Sequence, residues 1–382
     1  MFPTVTPLMN LRTTPLLTVI TAVFTVGFCW GIIIPVTSVI LEGRDVPTPL
    51  IGFCATAIFI GMACSAPLVG RALELYGVRP TLFTGMFLAG CLMLTLSFFT
   101  SLFSWIALRL MIGFAFGAIT TSCETLINRI STEQNRGRNL GLYAFAFSLS
   151  LMIAPLALWL LTFGMGVPFI TGGIVCFVAT FLVYKTIPSM QEELPDVSID
   201  LQFVRRISLS LATNFMAGFM EGALIALIPL YALRQGFSTG ATGMLLFAFM
   251  LGHGGGPPLI GLLADRLGLR RILGLVYGVG TALFFMILFV PANMSLTVLL
   301  SLAGASVGAL YPLAVGLIGE VLASNELPRG NALTTFAYGV GSIIGPFIPA
   351  LIMHVTVPKS LFVVAAILYS IVLVAMTLRK HD

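Results

Sequence analysis

Residues 261–271 read GLLADRLGLRR, placing an Asp, three Arg and two Gly within eleven positions. The flanks are apolar on both sides: MLLFAFMLGHGGGPPLI before and ILGLVYGVGTALFFMILFV after. A short polar turn between two long apolar runs is what a chain makes when it leaves a bilayer and re-enters it. Composition agrees. Hydrophobic residues make up 58% of the chain and charged residues 9%, whereas soluble proteins carry about 25% charged residues. No stretch is polar enough to surface the soluble domains that 382 residues would form.

Outward from that turn, apolar runs recur about twelve times, at 14–40, 49–69, 81–100, 103–127, 139–162, 165–186, 207–233, 238–260, 272–291, 294–322, 331–353 and 358–378. As helices rising about 1.5 Å per residue, such runs cross a hydrocarbon layer of roughly 30 Å. They lack the alternation of a barrel strand. Gly31, Pro35, Gly113, Gly117, Pro229 and Pro312 inside them suit closely packed membrane helices. The first run is too long, and too continuous with the pattern of later runs, to be only a cleaved signal peptide. The expected fold is an all-α polytopic membrane protein of twelve transmembrane helices in two pseudo-symmetric six-helix bundles.

Charge sets the expected orientation. Fifteen Lys and Arg fall in the tails and in the loops on their side; only Arg44, Arg234 and Lys359 fall in the opposite loops. Positive loops stay inside, so both termini are expected in the cytoplasm of a bacterial-type inner membrane. Topology thus accounts for the net charge of +5 without a nucleic-acid partner. The six Cys lie in apolar spans of the first half with no paired metal spacing, and read as small packing residues. Nucleotide-binding and hydrolase motifs are missing, which argues against direct ATP drive by this chain and points away from an enzyme. Neither a cofactor nor a metal is expected.

The polar stretch 187–206, IPSMQEELPDVSIDLQFVRR, reads as a linker between residues 1–186 and 207–382. A solvated loop is the first expectation for it. Ile199, Leu201 and Phe203 beside Arg205 and Arg206 give membrane-surface contact as the second.

The opening stretch has a twin, GRALELYGVRP at 70–80. An offset of 191 pairs Gly70 with Gly261, Glu74 with Asp265, Gly77 with Gly268 and Arg79 with Arg270. The same offset pairs Gly31 with Gly222 and Ala154-Pro155 with Gly345-Pro346. Several coincidences at one offset argue for two similar halves with a site between them at mid-membrane.

GLLADRLGLRR resembles the signature loop between helices 8 and 9 of the major facilitator superfamily. GRALELYGVRP resembles its counterpart between helices 2 and 3, with Glu74 where the family has Asp. RLMIGFAFG, with Arg109, Gly113 and Gly117, is similar to the family's helix-4 motif. GSIIGP at 341–346 resembles an exporter pattern of helix 5 but lies in helix 11. CETLINRISTEQNRGRNLGLYAF and SVGALYPLAVGLIGE look most like the YcaD-like branch. The resemblance implies a cavity lined by helices 1, 4, 7 and 10, with Trp30, Asn214, Glu221 and Tyr311 as candidates, ordinary interhelical packing being the other reading of the aromatics. It also implies that Arg109 modulates a transported proton; an Arg snorkelling outward is the other reading.

Each half sets a loop acid, a loop Arg, a helix-end Glu and a further Arg at one membrane face: Glu74, Arg79, Glu124 and Arg138, then Asp265, Arg266, Arg270, Glu320 and Arg329. Acids beside helix ends accept backbone N–H groups and pair with Arg. These residues are expected to form cytoplasmic gate clusters, a static helix-end salt bridge being the alternative. Glu221 stands alone as an acid deep in a span, in FMEGALIALIP. An ionisable group there is costly and usually functional, which suits a proton carrier. A structural partner and a substrate-binding carboxylate are the other readings. His253, in LGHGGGPP, reads first as close helix packing near the inner end of helix 8, and second as a coupling group. The first span, FTVGFCWGIIIPVTSVIL, lacks the acid that many drug–proton antiporters carry.

The expected function is a monomeric secondary transporter moving a small organic solute by alternating access with proton coupling. Its cargo is either an exported amphipathic compound or a metabolite or metal chelate. The alternative is a transport-inactive sensor or scaffold with the same architecture. Expected partners are the lipid bilayer, the solute and protons.

Overall fold

The structure, a computed structural model, describes residues 10–132, 135–186, 201–291, 294–323 and 326–378. Among them, twelve helical spans are long and apolar enough to cross a membrane. The first half holds α1 (Asn10–Glu42), α2 (Thr48–Tyr76), α3 (Val78–Phe98), α4 (Leu102–Ile130), α5 (Arg136–Ile153) and α6 (Val167–Thr186). A short helix α7 (Leu201–Arg206) precedes α8 (Ser208–Arg234), α9 (Thr239–Leu267), α10 (Leu269–Ile287), α11 (Met294–Val321), α12 (Leu327–Ile344), α13 (Phe347–Val355) and α14 (Ser360–Leu378).

The repeat expected at an offset of 191 reappears in the backbone. Gly77 and Gly268 both adopt a left-handed φ, 84° and 91°. Each lets the chain turn between two nearly abutting helices, at little steric cost because Gly has no Cβ. The pair at 154–155 and 345–346 marks two helix interruptions. α5 tightens there into a 3-10 helix, Ala154–Phe163, and the eleventh span divides into α12 and α13. Pro155 and Pro346 lack an N–H, so each leaves one rung of the helical ladder unmade at its interruption.

Contacts gather the chain into two compact units. One contains the described residues of 1–30, 60–151 and 166–195; the other contains those of 31–59, 152–165 and 196–382. This grouping differs from the expected division at 187–206. The reason is visible inside the second unit. Thr56 donates to the Ile343 carbonyl at the α12 interruption (2.9 Å). Phe53 meets Phe347 edge-on with centroids 6.3 Å apart. Gly52 backs onto Pro346 and Ala350, and Gly243 onto the Pro155 carbonyl.

In the first unit, α3 packs on α4 and α6. Gly61 touches the Leu110 backbone and Gly117 touches Ser65. Cys29 and Cys176 meet at 3.5 Å as thiols. Of the six Cys, Cys64 is exposed and Cys91 half-buried; the other four are packing residues. In the second unit the closest approaches are α9 on α11 and α8 on α12. Small residues set both, as packing without a hydrophobic drive between helices requires.

Much of the linker, including Ile199, lies outside the described residues. Its last turn, the part described, departs from both expectations at Phe203. Phe203 is 4% exposed and packs with Ile207, Ile318 and Leu322 against α11 rather than facing solvent or lipid. Arg206 forks onto Glu326 (2.9 and 3.0 Å) and onto the Val321 carbonyl (3.1 Å). Arg329 lies 4.3 Å over the Phe203 ring. The Arg206 guanidinium holds the Glu326 carboxyl below its usual range. The pair is solvated, so the buried aromatic contributes more than the charges to docking this segment.

Candidate functional site

Glu221 occupies the midpoint of α8, with thirteen residues on either side. The stretch Met216–Ala232 is buried throughout, and Glu221 is 7% exposed. A carboxylate here has little water to solvate it and must find partners. Two helices supply them, and a third packs against both sides. Gly218 on α8 touches the Tyr338 carbonyl of α12, and Gly341 and Gly345 touch Phe215 and Phe219 in return. That contact carries the Tyr338 hydroxyl onto Glu221 Oε2, to which it donates at 2.8 Å. On the other side, Gly304 and Gly308 of α11 let the α9 backbone at Phe249 and His253 come into contact. His253 Nε2 then lies 3.5 Å from the same Oε2. Tyr311 of α11 closes the group, its ring edge-on to Tyr338 with centroids 5.7 Å apart.

Both contacts fall on Oε2. Among the described residues none falls on Oε1. The arrangement can hold one carboxylate in place, keep a titratable imidazole beside it and offer one acceptor atom for exchange.

The other expected site residues divide between the two units. Tyr311 is 44% exposed at the edge of the Glu221 group. Asn214 is fully buried two turns before Glu221, and neither side-chain polar atom has a partner among the described residues. Trp30 is 4% exposed and packs on Phe147 in the first unit. Arg109 is fully buried on α4, also in the first unit. His253 is corrected: it stands at the middle of α9, not near the helix end, and touches the carboxylate. Tyr338 was missed by sequence reasoning; only its position on an α12 face of Gly341 and Gly345 hinted at a close partner helix.

Among the described residues the expected gate residues form no ion pairs with one another. Arg79 donates to the Tyr184 carbonyl (2.8 Å) and lies over that ring. Arg329 lies over Phe203. Glu74, Glu124, Arg138, Asp265, Arg266, Arg270 and Glu320 are exposed. A well-formed bidentate pair stands elsewhere, inside the second unit. Arg234 at the end of α8 donates to Glu42 Oε1 (2.6 Å) and Oε2 (3.0 Å), and also to Thr48 Oγ1 (2.7 Å). A tight turn with Asp45 in the left-handed region (φ 56°) sets Glu42 and Thr48 side by side for it. Asp tolerates that conformation better than most residues.

Twelve spans, a duplicated half and a lone mid-span carboxylate define a polytopic membrane transport protein. The sequence model described as Major Facilitator Superfamily matches residues 19–239 and 209–382. The chain belongs to that superfamily and is a transporter of its fold. It is 28% identical over 361 residues to the uncharacterized MFS-type transporter YfkF of Bacillus subtilis, covering 93% of this chain and 92% of that one. It is 24% identical to the uncharacterized MFS-type transporter YcaD of Escherichia fergusonii, covering 94% of each. Among solved structures, the nucleoside transporter NupG superposes with a TM-score of 0.76 at 14% identity, over 97% of this chain and 98% of that one. A D-xylose–proton symporter superposes with a TM-score of 0.77 at 15% identity, over 96% and 97%.

Proposed function

We propose that this chain is a proton-coupled secondary transporter of a small organic solute, working by alternating access in an inner membrane with both termini cytoplasmic. The observation that carries the reading is Glu221: a mid-span acid held by Tyr338 and His253, with Oε1 free to load and unload a proton. An isolated buried charge of this kind is expensive in a bilayer, and a fold that spends a tyrosine and a histidine on it uses it. Arg109, fully buried on α4, is the candidate modulator in the other half.

The test is transport by reconstituted protein in pyranine-loaded liposomes under an imposed pH gradient. The solute panel includes nucleosides and xylose, the solutes named for the two solved transporters, together with lipophilic amines. Accumulation that collapses with a protonophore is expected. Counterflow that ignores the gradient for every solute would overturn proton coupling.

In the alternating cycle, the Arg234–Glu42–Thr48 contact is the outer latch. The loop charges Asp265, Arg266, Arg270, Glu320 and Arg329, with Glu74, Arg79, Glu124 and Arg138 in the first half, engage in the opposite state. Side-chain exposures of 27% and 16% place the Arg234–Glu42 pair between a surface and a buried bridge. After discounting for solvent, it contributes on the order of 1 kcal/mol, about fivefold in population. In a variant retaining Cys54 as its single cysteine, Arg234→Ala is expected to raise maleimide labelling of that buried thiol about as much. Unchanged labelling would remove the latch assignment.

A further inference from the structure

Three sulfurs meet inside the first unit. Cys29 Sγ on α1 lies 3.5 Å from Cys176 Sγ on α6. The Cys29 thiol also donates to the Gly172 carbonyl, one turn earlier on α6, at 3.5 Å. Met93 of α3 brings the third sulfur. A Cβ on Gly172 would meet the Met93 methyl, with Cys29 Sγ 3.4 Å and Met93 Sδ 3.8 Å away. Gly90, three residues before Met93, backs onto the Cys176 Cβ and lets α3 come this close. Cys29, Met93 and Cys176 are all buried, at 0%, 0% and 1% exposure. Cys176 is the tenth of twenty residues in α6, so the group lies at mid-span.

Thiolates and thioethers are soft ligands, and soft ligands select monovalent copper over harder ions. Among the described residues no three of His, Cys, Asp or Glu stand together as metal ligands, so the third donor here is the thioether. That set does not match a zinc site, which takes four ligands or three and a water. It matches calcium and magnesium still less, since both require oxygens. Distance agrees with the choice. A metal–sulfur bond is about 2.3 Å long, so neighbouring sulfurs of a trigonal site stand about 4 Å apart. The two thiols, at 3.5 Å, need to part only slightly. Charge agrees as well. A monovalent ion exchanged for one thiol proton leaves the group neutral, whereas a charged complex at this depth would be costly.

We propose that Cys29, Cys176 and Met93 form a buried site for monovalent copper, which joins α1, α3 and α6 at mid-span. The ion enters with one positive charge, and one thiol proton leaves to solution. Two of the packing cysteines thereby gain a second role.

The experiment uses the full-length protein, purified in detergent, reduced and kept free of oxygen. Cys54→Ala, Cys64→Ala, Cys91→Ala and Cys123→Ala leave Cys29 and Cys176 as the only cysteines of the parent chain. Copper(I) is presented as its bicinchoninate complex, whose colour reports transfer to the protein. One ion per chain is expected, bound about tenfold more tightly for each unit rise in pH from 6 to 8, because a thiol proton must leave. Cys29→Ser and Cys176→Ser are each expected to weaken binding about a hundredfold. Met93→Leu conserves volume, so its fold is expected to survive even if a serine variant fails. It should bind about tenfold more weakly with the pH dependence intact. X-ray absorption at the copper edge should count three sulfurs in the parent and two in Met93→Leu. Copper should also raise the Tm of the parent by about 5 °C and leave that of Cys29→Ser unmoved.

Binding by both serine variants equal to the parent would overturn the proposal. So would a copper shell of nitrogen or oxygen ligands, or parent binding that ignores pH. An unchanged three-sulfur shell in Met93→Leu would overturn the assignment of the third ligand.

Discussion

Reconstituted Glu221→Gln protein is expected to accumulate no solute on an imposed pH gradient, falling to the level of protein-free liposomes. The substitution is nearly isosteric and removes one titratable atom from the centre of α8. The amide oxygen can still accept from Tyr338, and the amide avoids the cost of a charge in a dry site, so folding is expected to survive. What disappears is the group that can be loaded and unloaded. Wild-type transport should respond to the imposed pH gradient, and residual movement through Glu221→Gln should not. Tyr338→Phe separates holding from carrying. It keeps the ring against Tyr311 and deletes the donor at 2.8 Å. A hydrogen bond to a charged group contributes about 1.5–3 kcal/mol, so a loss of about tenfold in rate is expected, with pH dependence retained. Gradient-driven accumulation by Glu221→Gln equal to wild type would end the assignment of Glu221 as the coupling group.

The fold was legible because its signals are long and redundant. Twelve apolar runs, a charge asymmetry between loops and an offset of 191 all speak of the same architecture. The offset proved physical: it joins two left-handed glycines and two proline-marked helix interruptions. Glu221 was legible for a different reason. It is the one acid deep in a span, and membranes make such residues rare. Its partners were not. Tyr338 lies 117 residues away on another helix, and a tyrosine in an apolar span reads equally well as packing. His253 was placed too near a helix end because the apolar run was ended at residue 260, although its glycines were read as close helix packing. Here the glycines serve contact between helices, and the helix runs through both prolines to Leu267. The Glu42–Arg234 pair was invisible because charges at span ends are ordinary. Only the tight turn at Asp45 and the register of α8 bring the two together.

The close contact between α9 and α11 leads to the second large effect. Gly252 and Gly256 on α9 and Gly304 and Gly308 on α11 are mutually apposed. A Cβ on Gly304 would land on the Phe249 carbonyl, and one on Gly308 on the His253 backbone; in return Gly252 meets the Ser301 carbonyl and Gly256 meets Ala305. A leucine at Gly304 forces the helices apart along this whole seam. Overpacking costs about 1–3 kcal/mol per site in cores that can relax. Here the obstacle is backbone rather than a flexible side chain, and lipid offers no hydrophobic penalty for separation. Gly304→Leu is therefore expected to abolish the monodisperse peak on size-exclusion chromatography. Gly274→Leu and Gly319→Leu, where an added Cβ meets nothing within 4 Å, should leave the peak intact. Gly308→Ala is the informative middle case. A methyl there presses on the backbone of His253, whose imidazole sits 3.5 Å from Glu221. Folded protein with impaired gradient-driven transport is expected, tying helix contact to coupling through one residue. A Gly304→Leu protein as monodisperse as Gly274→Leu would show that the seam tolerates separation, and the link from packing to site would be lost with it.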